Sequence, residues 1–499
     1  MKKNLLLRGG RVIDSAQGLD GLLDVLIVDA KIAAVGPSLA PSPGAEVLDV
    51  QGKIVSPGFF DMHVHVYGGL AFADPDSVGV NLGSTSVADA GGAGAYSWDE
   101  FKALVVEQAR TDVYLYLSLR AGGIFGSYRS FFDISDVRSL IDIPVNRMLD
   151  IVEQNRDVIR AVKLGGFESY GVAPMQVAKG MATILGLPLY VHIGDLVGKP
   201  PETFTDQILD LLEAGDIVTH CFNANPGNLL GKDGKVLPQA LAAQERGVRY
   251  DVGFGSFNFS YDVAEQLLAE GIVPTTISSD LQQSNVTGPV YSLMHVMSAM
   301  LPLGYSLHDV LRMVTVNPAE QLGLADRIGS LRPGMPGDVT VLAVERGDFV
   351  FDDTSGGSRR GTERLVPFVT IKDGEPIWPS RERAEAEENW SFEGAIAYDE
   401  VPENARLLDA EQRAFLGYLA DTCRELDDWN GVLLHETFGN ARRRAGLDLR
   451  RAAEAVLHSF MTARFTPPVG FFLGSQERAF VLARLEQVRT REAIPVQHR

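Results

Sequence analysis

The chain has 499 residues, more than one hydrophobic core usually organises, so roughly two or three folding units are expected. Its 45% hydrophobic and 22% charged content is ordinary for a soluble globular protein, and a formal net charge of -20 argues against a main task of holding nucleic acid, which needs a basic surface. Cys221 and Cys423 are too far apart for a disulfide framework, MKKNLLLRGG is too short for a signal core, and no long apolar run occurs; a cytoplasmic protein without membrane contact is expected.

The opening segments NLLLRGGRVID, LLDVLIVDAKIAAVG and AEVLDVQGKIVSPGF are short β-rich runs broken by Gly-Gly and Pro-Ser-Pro-Gly, which predicts a small antiparallel sheet. The same texture returns at GSLRPGMPGDVTVLAVERGDFVFDD and VPFVTIKDGEPIW. Residues 1–55 and 328–380 are therefore expected to form one composite β-sandwich domain from both flanks of a larger insert. Within that insert, residues 56–327, apolar runs alternate with helical stretches: FFDMHVHV, TSVADAG, VYLYLSLR, AVKLGG, LPLYVHIGD, DIVTHCFN, VRYDVGFG and TTISSD. Near-continuous apolar strands alternating with helices predict a parallel sheet covered by helices, and eight such units predict an α/β fold of the (β/α)8 TIM barrel type.

RERAEAEENW opens a charged linker, residues 381–402, and an all-α domain is expected over 403–499. There Phe415, Leu419, Cys423 and Leu426 fall on one helical stripe, and Leu434, Phe438, Ala441 and Ala445 on another. Gly446 is placed to end the second helix, with Arg442, Arg443 and Arg444 near its C-terminus, where the helix dipole favours cations.

In FFDMHVHVYGG, His63 and His65 share one face of an extended strand while Val64 takes the other; by itself this pair is either a set of metal ligands or a polar patch. Lys163 ends the fourth strand candidate, His192 the fifth, His220 the sixth and Asp280 the eighth. Functional groups of such barrels collect at the C-terminal strand ends, and four of the nine histidines fall there. Neutral imidazoles and carboxylates suit zinc and related divalent ions. A protonated lysine beside two dications is unfavourable, a conflict that disappears if Lys163 carries carbon dioxide as a carbamate able to bridge them.

His-x-His on strand one, Lys on four, His on five, His on six and Asp on eight resembles the amidohydrolase superfamily, and the likeness runs through residues 1–380, including GKIVSPGFFDMHVHV and SLRPGMPGDVTVL. LPLYVHIGD, DIVTHCFNANPG, ISSDLQQSNVTGPVY and TVNPAEQLGLADRIGSL look like its amidohydrolase/deacetylase branch, related to dihydroorotases. The resemblance implies a binuclear metal-dependent amidohydrolase/deacetylase acting on carbon-nitrogen bonds other than peptide bonds. It implies one ion, zinc as first choice, on His63, His65, carboxylated Lys163 and Asp280, and a second on the carbamate, His192 and His220. A metal-bridging hydroxide would cleave an N-acyl, N-acetyl or O-acetyl bond of a small carboxylate-bearing compound, with Asp280 carrying the proton. The chain departs from the family where Asp-Val-Gly-His-Gly reads DVGFG, with Phe254, and where Leu164 is followed by Gly165 and Gly166.

Arg120, Tyr67, Asn223, Phe254 and Asn258 are candidate substrate contacts, Arg120 as a carboxylate clamp or as a structural salt bridge. Cys221, Met294, Met297 and Met300 read as core. About 90 residues within the helical stretch resemble the C-terminal helical domain of class I lysyl-tRNA synthetases, with Pro467, Pro468, Val469 and Gly470 where that family has a Gly-Pro-Arg turn. An interaction or dimerisation module is expected there ahead of tRNA binding, and a homo-oligomer overall. The alternatives are a cyclic amidase of the dihydroorotase or hydantoinase kind, a deaminase, a non-catalytic scaffold and a tRNA-linked binding protein.

Overall fold

The computed structural model describes residues 4–67, 73–124, 137, 139–165, 171–194, 204–380, 400–429, 431–461 and 469–490. Residues 381–399, most of the expected linker, and Gly166, Pro467 and Pro468 lie outside them.

The flanking segments pair as their texture predicts, but into one continuous sheet and not a sandwich of two. Strands β1 (Leu5–Asp14), β2 (Leu19–Val28), β3 (Lys31–Gly36), β4 (Glu46–Asp49) and β5 (Ile54–Pro57) come from the first flank. After the intervening parallel strands, β13 (Val339–Asp352), β14 (Ser358–Lys372) and β15 (Glu375–Ile377) come from the second. The order is β15-β14-β13-β5-β1-β2-β3, with β4 also on β1. A register shift between Leu7 and Gly10 lets β1 take β4 over its first half and β5 over its second, so a single sheet serves all partners. It curls around a core of its own that includes Leu7, Val12, Ile27, Val55, Val341 and Ile371.

Seven parallel strands follow in sequence order: β6 (Phe59–Val64), β7 (Ser84–Asp89), β8 (Asp112–Ser118), β9 (Ile159–Gly165), β10 (Leu189–His192), β11 (Ile217–Thr219) and β12 (Arg249–Tyr250). The eighth expected strand, TTISSD, makes one isolated bridge, Asp251 to Thr276, and Leu281 just after it makes another, to Val64. Those bridges join the last strand to the first, an arrangement consistent with the expected barrel. Between the two bridges Asp280 adopts a left-handed backbone, φ 54°. β6 to β10 are buried along nearly their whole length, as strands covered on both faces must be.

The two sheets are fastened by a charge cluster around the buried Lys372, whose partner Asp338 is buried and whose partner Asp112 is partly exposed. Lys372 of β14, 5% exposed, reaches Asp338 at 2.8 Å and Asp112, at the start of β8, at 2.9 Å. Burial works against this ammonium, but the two carboxylates outweigh it and raise its pKa.

Beyond residue 400 the described residues are helical: Ala410–Arg424, Gly431–Ala445, Leu449–Phe460, Val469–Ser475 and Arg478–Arg489. Asp409 and Gln412 form a reciprocal cap at the first, and Gly446, φ 66°, ends the second. Phe415, Leu419, Cys423, Leu434, Phe438 and Ala441 fill one apolar cluster, as their spacing predicts, with Leu426 and Ala445 partly buried against it. No helix among the described residues is long and apolar enough to cross a membrane.

Removing one partner of a buried ion pair leaves the other charge stranded. Lys372→Met is therefore expected to cost about 3 kcal/mol, read as a lower denaturant midpoint at unchanged slope. A midpoint equal to that of the parent would show that the cluster does not fasten the sheets.

Candidate metal centre

β6 delivers His63, and His65 follows immediately beyond the strand end; their rings lie 5.4 Å apart, nearly perpendicular. Asp280 arrives from the bridging segment, locked to the same backbone: its N–H donates to the His63 carbonyl at 2.7 Å, and the His65 N–H donates to the Leu281 carbonyl at 2.9 Å. Asp61 clamps this junction by accepting from the Ser279 N–H at 3.0 Å and from the Ser279 hydroxyl, while burial pushes its own pKa up to about 7. Asp280 Oδ1 ends 3.5 Å from His63 Nε2 and 3.2 Å from His65 Nε2. His220, like Asp280, holds a left-handed backbone, φ 65°, which a non-glycine residue adopts only where its surroundings enforce it.

The hydrogen bonds fix the imidazole protons. His63 Nδ1 meets Tyr190 Oη and Thr219 Oγ1, each at 3.1 Å. Both hydroxyls donate to Asp251 Oδ2 at 2.8 Å, and Asp251 also accepts from Ser278 at 2.6 Å and Thr276 at 2.8 Å. Burial raises the pKa of Asp251, while these four hydroxyls oppose the shift. With their hydrogens committed to Asp251, Tyr190 and Thr219 can only accept from His63, so Nδ1 carries the proton and Nε2 a lone pair. Burial first, and then Lys163, lowers the His63 pKa far enough to keep the ring neutral.

A lone pair on Nε2 thus faces Asp280 Oδ1, a buried oxygen that receives no hydrogen bond from any described residue. Two acceptors facing each other repel unless a cation lies between them. His63, His65 and Asp280, whose ligand atoms all lie within 4.8 Å of one another, fit a divalent ion on this ground.

The other expected ligands stand beside this cluster. His220 Nδ1 donates to the Gly253 carbonyl at 2.6 Å, and His192 Nε2 donates to the Gly194 carbonyl at 2.9 Å. Their rings are 4.4 Å apart, and His220 is 5.0 Å from His63. Lys163 lies over the face of Tyr190, Nζ 4.6 Å from the ring centre, and burial pulls its pKa down to about 7. A large neutral fraction of this amine is therefore present near neutral pH.

Among the expected substrate contacts, Asn258 is brought in, its amide 3.5 Å from Asp280 Oδ2, and Arg120 lies close enough to Lys163 to oppose its protonation. Three others are turned elsewhere. Tyr67 is buried against Phe101, with its hydroxyl toward Ser97 and Glu100. Phe254 stacks on Phe259 at 4.5 Å inside the core, because an apolar ring gains more there than at a polar mouth. Asn223 donates to the carbonyls of His220 and Ile193, shaping the turn that follows β11. Cys221 is core, as expected.

Asp61, Asp89, Tyr190 and Asp251 were not expected at the site. Asp89 ends β7 and ties down Val66 N–H at 2.8 Å and Gly92 N–H. Its position closing TSVADAG, and that of Asp251 opening DVGFG, were signals as good as the one that singled out Lys163. Asp251→Asn would turn one acceptor into a donor and free a hydroxyl proton to compete for His63 Nδ1. A fall of about 10–100-fold in divalent-ion affinity is expected, measured by chelator competition; unchanged affinity would show that the hydroxyl array does not orient the ligand.

The amidohydrolase family model matches residues 260–373. A deacetylase of Agrobacterium fabrum is 33% identical over 365 residues, covering 72% of this chain and 87% of its own length. A deacetylase of Enterococcus faecalis is 32% identical, covering 75% of this chain and 99% of its own. Among solved structures, an adenine deaminase superposes with TM-score 0.68 at 30% identity, over 75% of this chain and all of that one. A dihydroorotase does so with TM-score 0.67 at 30% identity, over 76% and 98%. With likeness at this level running through most of the relatives' own length, the chain belongs to the amidohydrolase family.

Proposed function

We propose that the protein is a binuclear metallohydrolase that removes an acyl group, N-acetyl before other acyl groups, from a small compound bearing a carboxylate. The observation that carries this reading is the confrontation of the His63 lone pair with the unbonded Asp280 oxygen. The organisation proposed with it is a composite β unit (1–55, 328–380), a (β/α)8 barrel (56–327) and a helical unit from residue 403.

His63, His65 and Asp280 would hold one ion, and His192 and His220 the other. Lys163 would be shared between them as a carbamate: its neutral Nζ adds to carbon dioxide and releases a proton, giving an anionic bridge in place of an ammonium. The ions, when bound, would supply a water acidified enough to react near neutral pH and a Lewis acid for the scissile carbonyl. Asp280 would take the proton from the attacking water and return it to the leaving nitrogen, while the Asn258 amide steadies its second oxygen. Arg120 would pair with the substrate carboxylate, its planar donors matching two oxygens at once.

Deacetylation is placed ahead of ring-opening or deamination because similarity to proteins named deacetylases covers nearly their full length. The adenine deaminase and dihydroorotase structures make those two reactions the competing outcomes. The test is metal analysis of the purified protein together with a panel of N-acyl amino acids, O-acetyl hydroxy acids, cyclic amides and aminopurines. Turnover of linear acyl compounds with stoichiometric metal is expected; ammonia release or ring-opening alone would overturn the reading.

Asp280→Asn is expected to keep the fold while kcat falls about a thousandfold or more, and His63→Ala to lose metal and activity together. Lys163→Ala should lose activity that short carboxylic acids partly restore by standing in for the carbamate. A His63→Ala protein as active as its parent would end the proposal.

A further inference from the structure

The helices beyond residue 400 rest against the stretch Trp98–Val106, which follows β7. Leu104 packs on their apolar cluster, and Arg450 reaches Gln108 at 3.4 Å. Tyr96 stands edge-on to His435 at 6.2 Å, with the Arg147 guanidinium over its face at 4.6 Å.

At the centre of this junction lies Glu100, fully buried. Its Oε2 accepts the backbone N–H of Val469 at 2.9 Å and faces the Tyr67 hydroxyl at 3.5 Å, while Oε1 faces His435 Nδ1 at 3.6 Å. Tyr67 stands two residues beyond His65, and its hydroxyl also donates to the Ser97 carbonyl at 3.2 Å. One carboxyl group is thus shared between the C-terminal helices and the segment that carries a proposed metal ligand. The approach is close-packed: a side-chain carbon on Gly470 would fall 2.2 Å from the His435 backbone nitrogen, so Val469 has little room to shift. A buried carboxyl is a costly way to join two modules, since an apolar contact of the same area would stabilise more.

We propose that Glu100 is a positioning residue: docking of the C-terminal helices through the Val469 N–H holds Glu100, which holds Tyr67 and with it the His65–Tyr67 segment. The C-terminal helices are on this view a working part of the metal centre. Only the kinetic arm of the test rests on the proposed deacylation.

The experiment uses full-length, metal-loaded protein and three variants. Val469→Pro removes the donated N–H, Glu100→Ala removes the acceptor, and Glu100→Gln keeps a carbonyl oxygen that still accepts. Amide exchange of residues 62–67, followed by mass spectrometry, should rise roughly tenfold in Val469→Pro and Glu100→Ala and return near the parent value in Glu100→Gln. In the same two variants kcat on the best acyl substrate should fall about tenfold with little change in KM, and Glu100→Gln should rescue it. Should Val469→Pro fail to fold, Glu100→Ala probes the same link from the opposite side. Exchange at 62–67 that stays at the parent value while residues 431–475 exchange faster would overturn the proposal, leaving the junction as attachment alone. Absence of acyl turnover by the parent protein would defeat the proposed reaction without touching the exchange result.

Discussion

The centre of this protein is organised by a repulsion. Asp251, buried under four hydroxyl groups, orients Tyr190 and Thr219 so that His63 must carry its proton on the far side of the ring. The near side then presents a lone pair to an oxygen of Asp280 that no described hydrogen bond satisfies. Backbone bonds between His63 and Asp280, and between His65 and Leu281, prevent the two from separating. The fold thus holds face to face, and in register, two acceptors that a cation between them would reconcile.

The rest of the architecture serves that geometry. Parallel strands bring His63, Lys163, His192 and His220 to one end of the sheet, and left-handed turns at His220 and Asp280 aim their side chains inward. Carbonyls of Gly194 and Gly253 each accept from one ring nitrogen of His192 and His220, which fixes how the two rings are turned. Burial keeps the ammonium form of Lys163 unfavourable, which fits a residue whose proposed task needs an uncharged amine.

Much of this was legible in the order of residues because parallel strands announce themselves as short apolar runs and their last polar residue faces the site. His63, His65 and Asp280 could be named together for that reason. The positions of Tyr67, Phe254 and Asn223 could not, since loop residues choose between mouth and wall according to packing from distant segments. Asp251 was passed over because an acid under a ring of hydroxyls needs Tyr190, Thr219, Thr276 and Ser278 to meet in space. TTISSD looked like a strand because its apolar and hydroxyl residues suit one, but it makes a single bridge, at Thr276. The two flanking segments looked like a sandwich because alternation reports strands and says nothing of how many sheets they make. The pairing of β5 with β13 is what merges them.

That merged sheet has a consequence for how the chain comes to be folded. β5 lies beside β13, and Phe59 N–H is received by the Thr340 hydroxyl, 281 residues further along. The first-made strands must therefore wait with an open edge until nearly three hundred later residues have emerged. Closing so long a loop is slow, and an unpaired edge invites neighbours, so newly made copies of this protein are most vulnerable to sticking to one another before β13 arrives.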